Sequence, residues 1–402
     1  MTSLDDLLAS KEMVLVCGSG GVGKTTMAAA LATQVAVATE RRVLVVTVDP
    51  ARRLATALGL DEVGDEPRVV DAAALAAAAG DEVPRGELSV AMLDTKKGWD
   101  ALIRRYAPDA RVRDTILDNP LYHSITARFV QSHDYLAMER LHELHASGRY
   151  DLVVVDTPPS RSALDILDAP ERMADFFGSR LLRWLTVPYR SRLFAAASKP
   201  FYQVADRILG SKFLQDIAEF FVLFQTMEAG FVRRAREVTA LLGDERTTFV
   251  VVSTLEPVPV REAEFLMTEL ARRRLPLGAL VLNKVLPAWL REPAGAMAAS
   301  TVAADPAAVA RPVAAALGGL DEGRLTSVLA ESAASFTRLA LTAAREAAEQ
   351  ARLAARPAVT VAVPHVPRDV TDLAGLVALG RSLWGVPEPV KPRRVRRSDT
   401  RH

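Results

Sequence analysis

The sequence is poor in cysteine and in long apolar runs. Its 402 residues contain one cysteine, Cys17, which excludes an internal disulfide framework and a cysteine-based metal site. No uninterrupted apolar run reaches the roughly 18 residues that a membrane-spanning helix needs, and the first residues lack the pattern of a signal peptide. We therefore expect a cytoplasmic protein, with peripheral contact to a membrane left open.

The chain also lacks an excess of charge of either sign. Its 50 Lys and Arg residues balance 49 Asp and Glu residues, for a net charge of +1, so nothing favours specific binding to nucleic acid. The exception is Lys391–His402, which holds six Lys or Arg residues and one acid. Because this stretch has no apolar periodicity, we predict a disordered basic tail over residues 387–402.

Short β-branched runs alternate with longer stretches of helical periodicity, the pattern of a parallel sheet covered by helices on both faces. We predict an α/β fold with a doubly wound, mostly parallel sheet. Ligands of such sheets bind at the carboxyl ends of the strands. The candidate strands are Met13–Cys17, Val43–Val48, Leu88–Leu93, Leu152–Val155, Phe249–Ser253, Ala279–Leu282 and Val359–Val363.

A glycine-rich segment, Gly18-Ser-Gly-Gly-Val-Gly-Lys-Thr25, follows the first candidate strand and opens an alanine-rich helix. It matches G-x-x-x-x-G-K-[ST] completely, in the strand-to-helix context that the motif requires. Backbone amides of the loop and the start of the helix bind phosphate oxygens. Lys24 is expected to bridge the β- and γ-phosphates, and the Thr25 hydroxyl to ligate Mg²⁺. The segment predicts a triphosphate site.

The same residues contain the dinucleotide fingerprint Gly18-x-Gly20-x-x-Gly23, and Asp49 could then hold a ribose. A dinucleotide site has no use for Lys-Thr after the last glycine, so we favour the triphosphate.

Two aspartates directly follow apolar strands, Asp49 after Val48 and Asp156 after Val155. A carboxylate beside a phosphate loop holds Mg²⁺ through a water molecule, which is the role expected of Asp156. A second carboxylate near the γ-phosphate, Asp49, can orient or deprotonate the attacking water. The alternative for either residue is a helix N-cap.

These motifs together resemble the ArsA family of ATPases, which includes arsenite pumps and the ATPases that target tail-anchored membrane proteins. The resemblance rests on G-x-G-G-V-G-K-T-T, D-P-A-x-x-L and D-T-x-P-S, and it extends over nearly the whole chain. The D-P-A-R-R-L and D-T-P-P-S-R forms are similar to an actinobacterial branch. The resemblance implies a P-loop NTPase of the deviant Walker A type that binds ATP and Mg²⁺ and works as a dimer.

The resemblance also implies roles for single residues. Asp49 matches the water-activating aspartate of the first switch, and Asp156 matches the aspartate of the second switch. Glu256 matches an acid that meets nucleotide across the dimer interface, and Asn283 matches the asparagine that reads adenine. A turn-forming asparagine is the alternative for Asn283. The phosphate-binding loop corresponds to seven consecutive residues: Gly20, Gly21, Val22, Gly23, Lys24, Thr25 and Thr26.

The sequence departs from the family pattern at two points. Ser19 occupies the position of a signature lysine that reaches the partner subunit's phosphates. A serine supplies no cation to the developing charge, so a homodimer is expected to hydrolyse ATP slowly. Two hypotheses would supply the missing cation. Either the chain forms a heterodimer with a paralogue that carries the lysine, or Arg52 or Arg53 takes the place of the lysine across the dimer interface. The lack of cysteine pairs argues against arsenite transport and excludes a zinc-stapled dimer.

A helical insert is predicted where the strand alternation stops, over residues 161–243. It separates two parts of one P-loop ATPase domain, 1–160 and 244–386. Phe220, Phe221, Phe224 and Met227 could line a groove for a hydrophobic client helix or membrane protein, or form ordinary core. Further on, Pro293–Glu331 is predicted to be part helix and part loop, and Ala333–Ala355 a long helix.

Two functional hypotheses follow. The first is a Mg²⁺-dependent ATP hydrolase that couples ATP binding and hydrolysis to dimer opening and closing for membrane-protein or transport work. The second is a low-turnover nucleotide-binding regulatory subunit in a heterodimer with a paralogous ATPase, which Ser19 favours. Loss of Asp49 would inactivate the enzyme but be tolerated by the regulatory subunit.

Overall fold

The computed structural model describes residues 3–48, 52–60, 64–80, 83–93, 98–119, 122, 132–159, 164, 167–169, 172, 175, 220–223, 226–318, 320–354, 357–366 and 369–385. Most of the predicted helical insert and the basic tail lie outside these ranges. The strands are β1 (Met13–Gly18), β2 (Arg42–Thr47), β3 (Arg68–Val69), β4 (Glu87–Met92), β5 (Leu152–Asp156), β6 (Thr247–Ser253), β7 (Leu277–Val285) and β8 (Val359–Pro364).

The strands form one sheet in the order β3-β4-β2-β5-β1-β6-β7-β8. All seven predicted strands are present, and every pairing among them is parallel. The sequence did not indicate β3, a two-residue antiparallel edge strand. The predicted α/β fold with a mostly parallel sheet is confirmed. β1 lies between β5 and β6, so its carboxyl end opens at the middle of the sheet.

Side chains of β1 alternate between the two faces of the sheet, as a pleated strand requires. Val14 and Val16 contact the cluster on one face, whereas Met13, Leu15 and Cys17 contact the cluster on the other. Burying a leucine such as Leu15 fully contributes about 1.5–3 kcal/mol. Both faces are therefore covered, which explains why these strands read as continuous apolar runs.

Helices supply both covers. Within the described ranges they are α1 (Leu4–Ala9), α2 (Lys24–Ala38), α3 (Arg52–Ala57), α4 (Ala72–Ala78), α5 (Gly98–Tyr106), α6 (Ala110–Leu117), α7 (Ser132–Ala146), α8 (Glu228–Gly243), α9 (Pro257–Arg272), α10 (Pro293–Ala304), α11 (Pro306–Leu317), α12 (Glu322–Leu353) and α13 (Leu373–Leu383). Helices α1, α2, α4 and α13 pack on one face. Helices α7, α8 and α9 pack on the other.

A third cluster joins α5, α6, α7 and α8 beside the sheet. From the sequence, Phe220 and Met227 could belong either to a client groove or to the core. Their side chains are 2% and 1% exposed and lie in this cluster. Phe221 packs against it as a partly buried side chain. Phe224 lies outside the described residues. For Phe220 and Met227 the structure therefore supports core packing.

The segment Pro293–Glu331, predicted to be part loop, is mostly helical. Pro293 and Pro306 occupy the first turns of α10 and α11, where proline starts a helix instead of breaking it. Helix α12 begins at Glu322, so the long helix predicted from Ala333 is eleven residues longer at its start. Both short helices pack along α12. Gly295 permits the approach, because a Cβ there would lie 2.5 Å from the Phe336 ring.

Within the part of the chain that the structure describes, no helix is both long and apolar enough to cross a bilayer.

Candidate nucleotide-binding site

The glycine-rich loop runs from the end of β1 to the start of α2. Gly21 (φ +80°) and Gly23 (φ +96°) adopt left-handed backbone conformations that disfavour a side chain. Gly18 is required for a different reason, since a Cβ there would lie 2.2 Å from the Val252 carbonyl oxygen of β6. The loop is therefore shaped by close packing between neighbouring strands as well as by backbone torsion.

Lys24, the first residue of α2, is folded back over this loop. Its side chain is buried, and its Nζ donates a hydrogen bond to the Ser19 carbonyl oxygen at 2.9 Å. The lysine charge thus lies over the start of α2, where free backbone N–H groups and the helix dipole already favour an anion. This arrangement concentrates positive potential where the sequence predicts phosphates.

A cavity of about 790 Å³ opens over the loop and the start of α2. Its volume lies in the range of small-molecule and cofactor sites. Six of the seven loop residues predicted to bind the nucleotide line it, and Val22 instead turns its side chain into the core. The lining residues are Gly20, Gly21, Gly23, Lys24, Thr25, Thr26, Ala29, Leu54, Thr56, Ala57, Asp156, Thr157, Pro159, Asp369, Val370, Thr371 and Leu376.

Asp156 ends β5 and lies on the wall of this cavity, 1% exposed. Its Oδ2 accepts hydrogen bonds from the Thr25 hydroxyl at 2.6 Å and from the Thr47 hydroxyl at 3.1 Å. A hydroxyl and a carboxylate in contact supply the hard oxygen ligands that Mg²⁺ prefers. The residues predicted to hold magnesium therefore lie together and fit the ion. Sequence reasoning missed Thr47, which fixes the carboxylate from β2.

Thr157 and Cys17 lie under the loop. Thr157 Oγ1 donates to the Val16 carbonyl oxygen at 2.9 Å, which ties the chain after β5 to β1. Burial raises the pKa of the Cys17 thiol to about 11, so the side chain is neutral at physiological pH. Cys17 is part of the hydrophobic core and not of the reactive machinery.

Asp49 lies outside the described residues, and so do the side chains of Arg52 and Arg53. The chain on either side of Asp49 borders the site. Val48 N–H donates to the Asp156 carbonyl oxygen at 3.3 Å, and Leu54 of α3 lines the cavity.

The remaining predicted residues, Glu256 and Asn283, are not among the lining residues of the cavity. Glu256 is exposed at the N-cap of α9, just beyond the carboxyl end of β6, and makes no side-chain cap. Asn283 lies in β7 with 9% of its surface exposed, and its side chain contacts the back of the phosphate loop. Asp369, which lies between β8 and α13, does line the cavity.

Two glycines of the loop predict opposite effects of the same substitution. Gly18→Ala should destabilise the fold by about 1–3 kcal/mol, because its Cβ meets the Val252 carbonyl. Gly20 has no positive φ, and a Cβ added to it would meet no atom within 4 Å. Gly20→Ala should therefore leave thermal stability unchanged and weaken nucleotide binding by about tenfold, or about 1.4 kcal/mol, because the added methyl group takes up cavity space that the phosphates need. Calorimetric melting and nucleotide titration of both variants check this, and equal melting temperatures would contradict it.

A phosphate loop on a central parallel strand, with a carboxylate at the end of the neighbouring strand, defines a P-loop nucleotide-binding protein. The model of the family described as anion-transporting ATPase, the ArsA ATPases, matches residues 11–301. The chain belongs to this family. The match includes the loop, Asp156, Glu256 and Asn283.

Individual relatives are distant. The chain is 25% identical over 278 residues to the ATPase ASNA1 homolog of Babesia bovis, covering 68% of this chain and 66% of the relative. It is 26% identical over 278 residues to the ATPase get3 of Aspergillus niger, covering 68% and 72%. The match to the ATPase ARSA1 of Chlamydomonas reinhardtii is 24% identical over 313 residues and covers 69% of this chain but 35% of that protein.

Proposed function

We propose that this chain binds ATP with Mg²⁺ and hydrolyses it to ADP and phosphate. One observation carries the proposal. The loop, Lys24, Thr25 and Asp156 line a single cavity, and the last two are joined by a 2.6 Å hydrogen bond. A buried lysine, a hydroxyl and a carboxylate around an open cavity are the groups that a metal-bound triphosphate needs.

Each residue has a distinct task in this reaction. The loop amides and Lys24 bind the β- and γ-phosphate oxygens and stabilise the charge that shifts toward them. Thr25 and Asp156 would hold a magnesium ion, which would neutralise phosphate charge. Asp49 orients water and accepts its proton while the water oxygen bonds to the γ-phosphorus and the bond to the β–γ bridging oxygen breaks.

The proposed dimer rests on the resemblance and on the position of Glu256. This acid lies exposed at the carboxyl edge of the sheet, outside the lining of its own cavity, as a residue that meets a partner's nucleotide must. We propose that ATP binding closes and hydrolysis opens a dimer with a second copy or with an ArsA-like paralogue. A hydrophobic client helix or membrane protein is the partner class that the resemblance suggests, and Phe220 and Met227 are already used in the core.

The sequence division into an ATPase domain (1–160 and 244–386), a helical insert (161–243) and a basic tail (387–402) is retained as a proposal. So is a cytoplasmic location, with peripheral contact to a membrane.

A specific observation favours a second function, that of a low-turnover regulatory subunit. Ser19 stands where the family places its signature lysine, and its hydroxyl has no hydrogen-bond partner in the described structure. In this alternative the chain binds ATP and closes on a lysine-bearing paralogue, which supplies the missing cation.

Phosphate release by the purified chain separates the two functions. The first requires release that depends on Mg²⁺ and disappears in Asp49→Asn. The second requires tight ATP binding with little release, raised by adding a lysine-bearing paralogue. Full activity of the chain alone would remove the heterodimer, whereas absence of ATP binding would remove both.

Introducing the missing lysine tests the role of position 19 directly. Ser19→Lys should raise the rate of ATP hydrolysis by on the order of 100-fold, because it adds a cation to the transition-state charge. Ser19→Ala is the matched control, since it removes the hydroxyl without adding charge, and should leave the rate unchanged. Steady-state turnover with Mg·ATP measures both. Equal rates for the two variants would show that slow hydrolysis has another cause.

A further inference from the structure

The side chain of Asn283 contacts the phosphate loop from behind. Its Nδ2 donates a hydrogen bond to the Val22 carbonyl oxygen at 2.8 Å, and its Oδ1 accepts one from Lys284 N–H at 2.8 Å. The same amide nitrogen lies against Gly23, where an added Cβ would come within 2.6 Å of it. Both polar ends of the side chain are thus engaged with backbone, one of them with the loop that binds phosphate.

Asn283 lies on the same face of β7 as Ala279 and Val281, which contact the cluster that contains Val22, and a local irregularity of the strand adjoins it. The pairing between β7 and β8 shifts register between Leu282 and Val285. Lys284, inside this shift, has a φ of +59°, in the left-handed region that a non-glycine residue rarely adopts. Such irregularities re-aim side chains and are frequent next to active sites. Alternation along β7 therefore places Asn283 on the side of Val22, and the irregularity follows it directly.

Peptide geometry connects this contact to the cavity. In a trans peptide the C=O and N–H of one unit lie in a plane and point in opposite directions, and no cis peptide occurs in the described chain. When Asn283 holds the Val22 carbonyl behind the loop, the N–H of Gly23 must point to the other side. Gly23 lines the cavity, so that N–H is presented to a phosphate oxygen.

We propose that Asn283 is a positioning residue of the phosphate loop, which fixes the Val22–Gly23 peptide so that the Gly23 N–H faces the bound phosphate. The proposal rests on the proposed function and extends it. The resemblance assigns this asparagine to the adenine ring. A positioning role acts instead on every ligand that carries a polyphosphate, whatever its base.

Three probes that differ in the base separate the two roles: Mg·ATP, Mg·GTP and Mg·tripolyphosphate, which has no base. For Asn283→Ala we expect the affinity for all three to fall by the same factor, on the order of 3- to 10-fold, the usual loss for one hydrogen bond. The ratio of ATP to GTP affinity should stay constant. Loss confined to ATP, with tripolyphosphate binding unchanged and a collapsed ATP-to-GTP ratio, overturns the positioning role.

Wild-type binding distinguishes the failure of this proposal from that of the proposed function. If the wild-type chain binds none of the three probes, the proposed function fails and the positioning role fails with it. If wild type binds and Asn283→Ala binds tripolyphosphate equally well, only the positioning role fails. Asn283→Ser provides a second variant should alanine prevent folding, and its affinities must follow the same pattern.

A double-mutant cycle provides a readout that a merely structural asparagine would not move. Gly23→Ala places a Cβ 2.6 Å from Nδ2 and should displace the Asn283 amide. Because the clash disappears once the amide is gone, Gly23→Ala should weaken tripolyphosphate binding less in the Asn283→Ala background than in wild type. Additive losses in the cycle would overturn direct coupling between the two residues.

Discussion

Replacing Lys24 with alanine should abolish tight binding of Mg·ATP, with a loss of affinity on the order of 100-fold or more. The ammonium group is expected to make charge-assisted hydrogen bonds to two phosphates, each worth about 1.5–3 kcal/mol. We expect the variant to fold, because the hydrogen bond that the Lys24 side chain donates to the Ser19 carbonyl oxygen lies within the phosphate loop itself. Isothermal titration with Mg·ATP measures the effect.

Lys11→Ala is the matched control for this experiment. Lys11 lies just before β1, at the end of this strand that is opposite to the cavity. Its Nζ donates a hydrogen bond to the Glu245 carbonyl oxygen at 2.5 Å. Its removal should leave ATP affinity unchanged. Retention of wild-type affinity by Lys24→Ala would show that the cavity does not bind the triphosphate in the proposed orientation.

Asp49→Asn should lower ATP hydrolysis by on the order of 100-fold or more while Mg·ATP still binds within a few-fold of wild type. The amide keeps the shape of the side chain but cannot accept a proton from the attacking water, and general-base catalysis contributes about 10²–10⁴. Single-turnover phosphate release and equilibrium binding, measured on the same preparation, separate the two quantities.

The control is Asp305→Asn, a conservative exchange at the N-cap of α11, where asparagine caps as well as aspartate. It should change neither quantity. If Asp49→Asn hydrolysed ATP at the wild-type rate, Asp49 would not be the base, and a regulatory subunit with slow, unassisted turnover would describe the chain better.

The fold was predictable because the sheet is buried on both faces. Strand β1, and strand β5 up to its last residue Asp156, are apolar, so their identity does not depend on alternation. The missed strand β3 has only two residues, both exposed at the edge of the sheet, and leaves no pattern in the sequence. The stretch that forms α10 and α11 was predicted as part helix and part loop, and both helices begin at a proline. Proline at the first turn loses no helical hydrogen bond, and position in the helix cannot be read from composition.

The candidate site was also predictable from the sequence only in part. The phosphate loop and Asp156 were recognisable because their residue types and their positions at strand ends are both set by chemistry. Thr47 was missed because its role depends on parallel pairing, which places it opposite Asp156. The contact of Asn283 with Val22 joins residues that are 261 positions apart in the chain. A contact between residues so far apart in the chain has no signature in the residues themselves.

Every role proposed above requires that the loop, Lys24, Thr25 and Asp156 together bind a magnesium-bound triphosphate. Titration calorimetry of the folded chain with ATP, with and without Mg²⁺, measures this binding without any substitution. We predict saturable heat that requires Mg²⁺, together with thermal protection of about 2.7 kcal/mol at a ligand concentration 100 times the Kd. Absence of both heat and thermal protection on well-folded protein would contradict the proposed site.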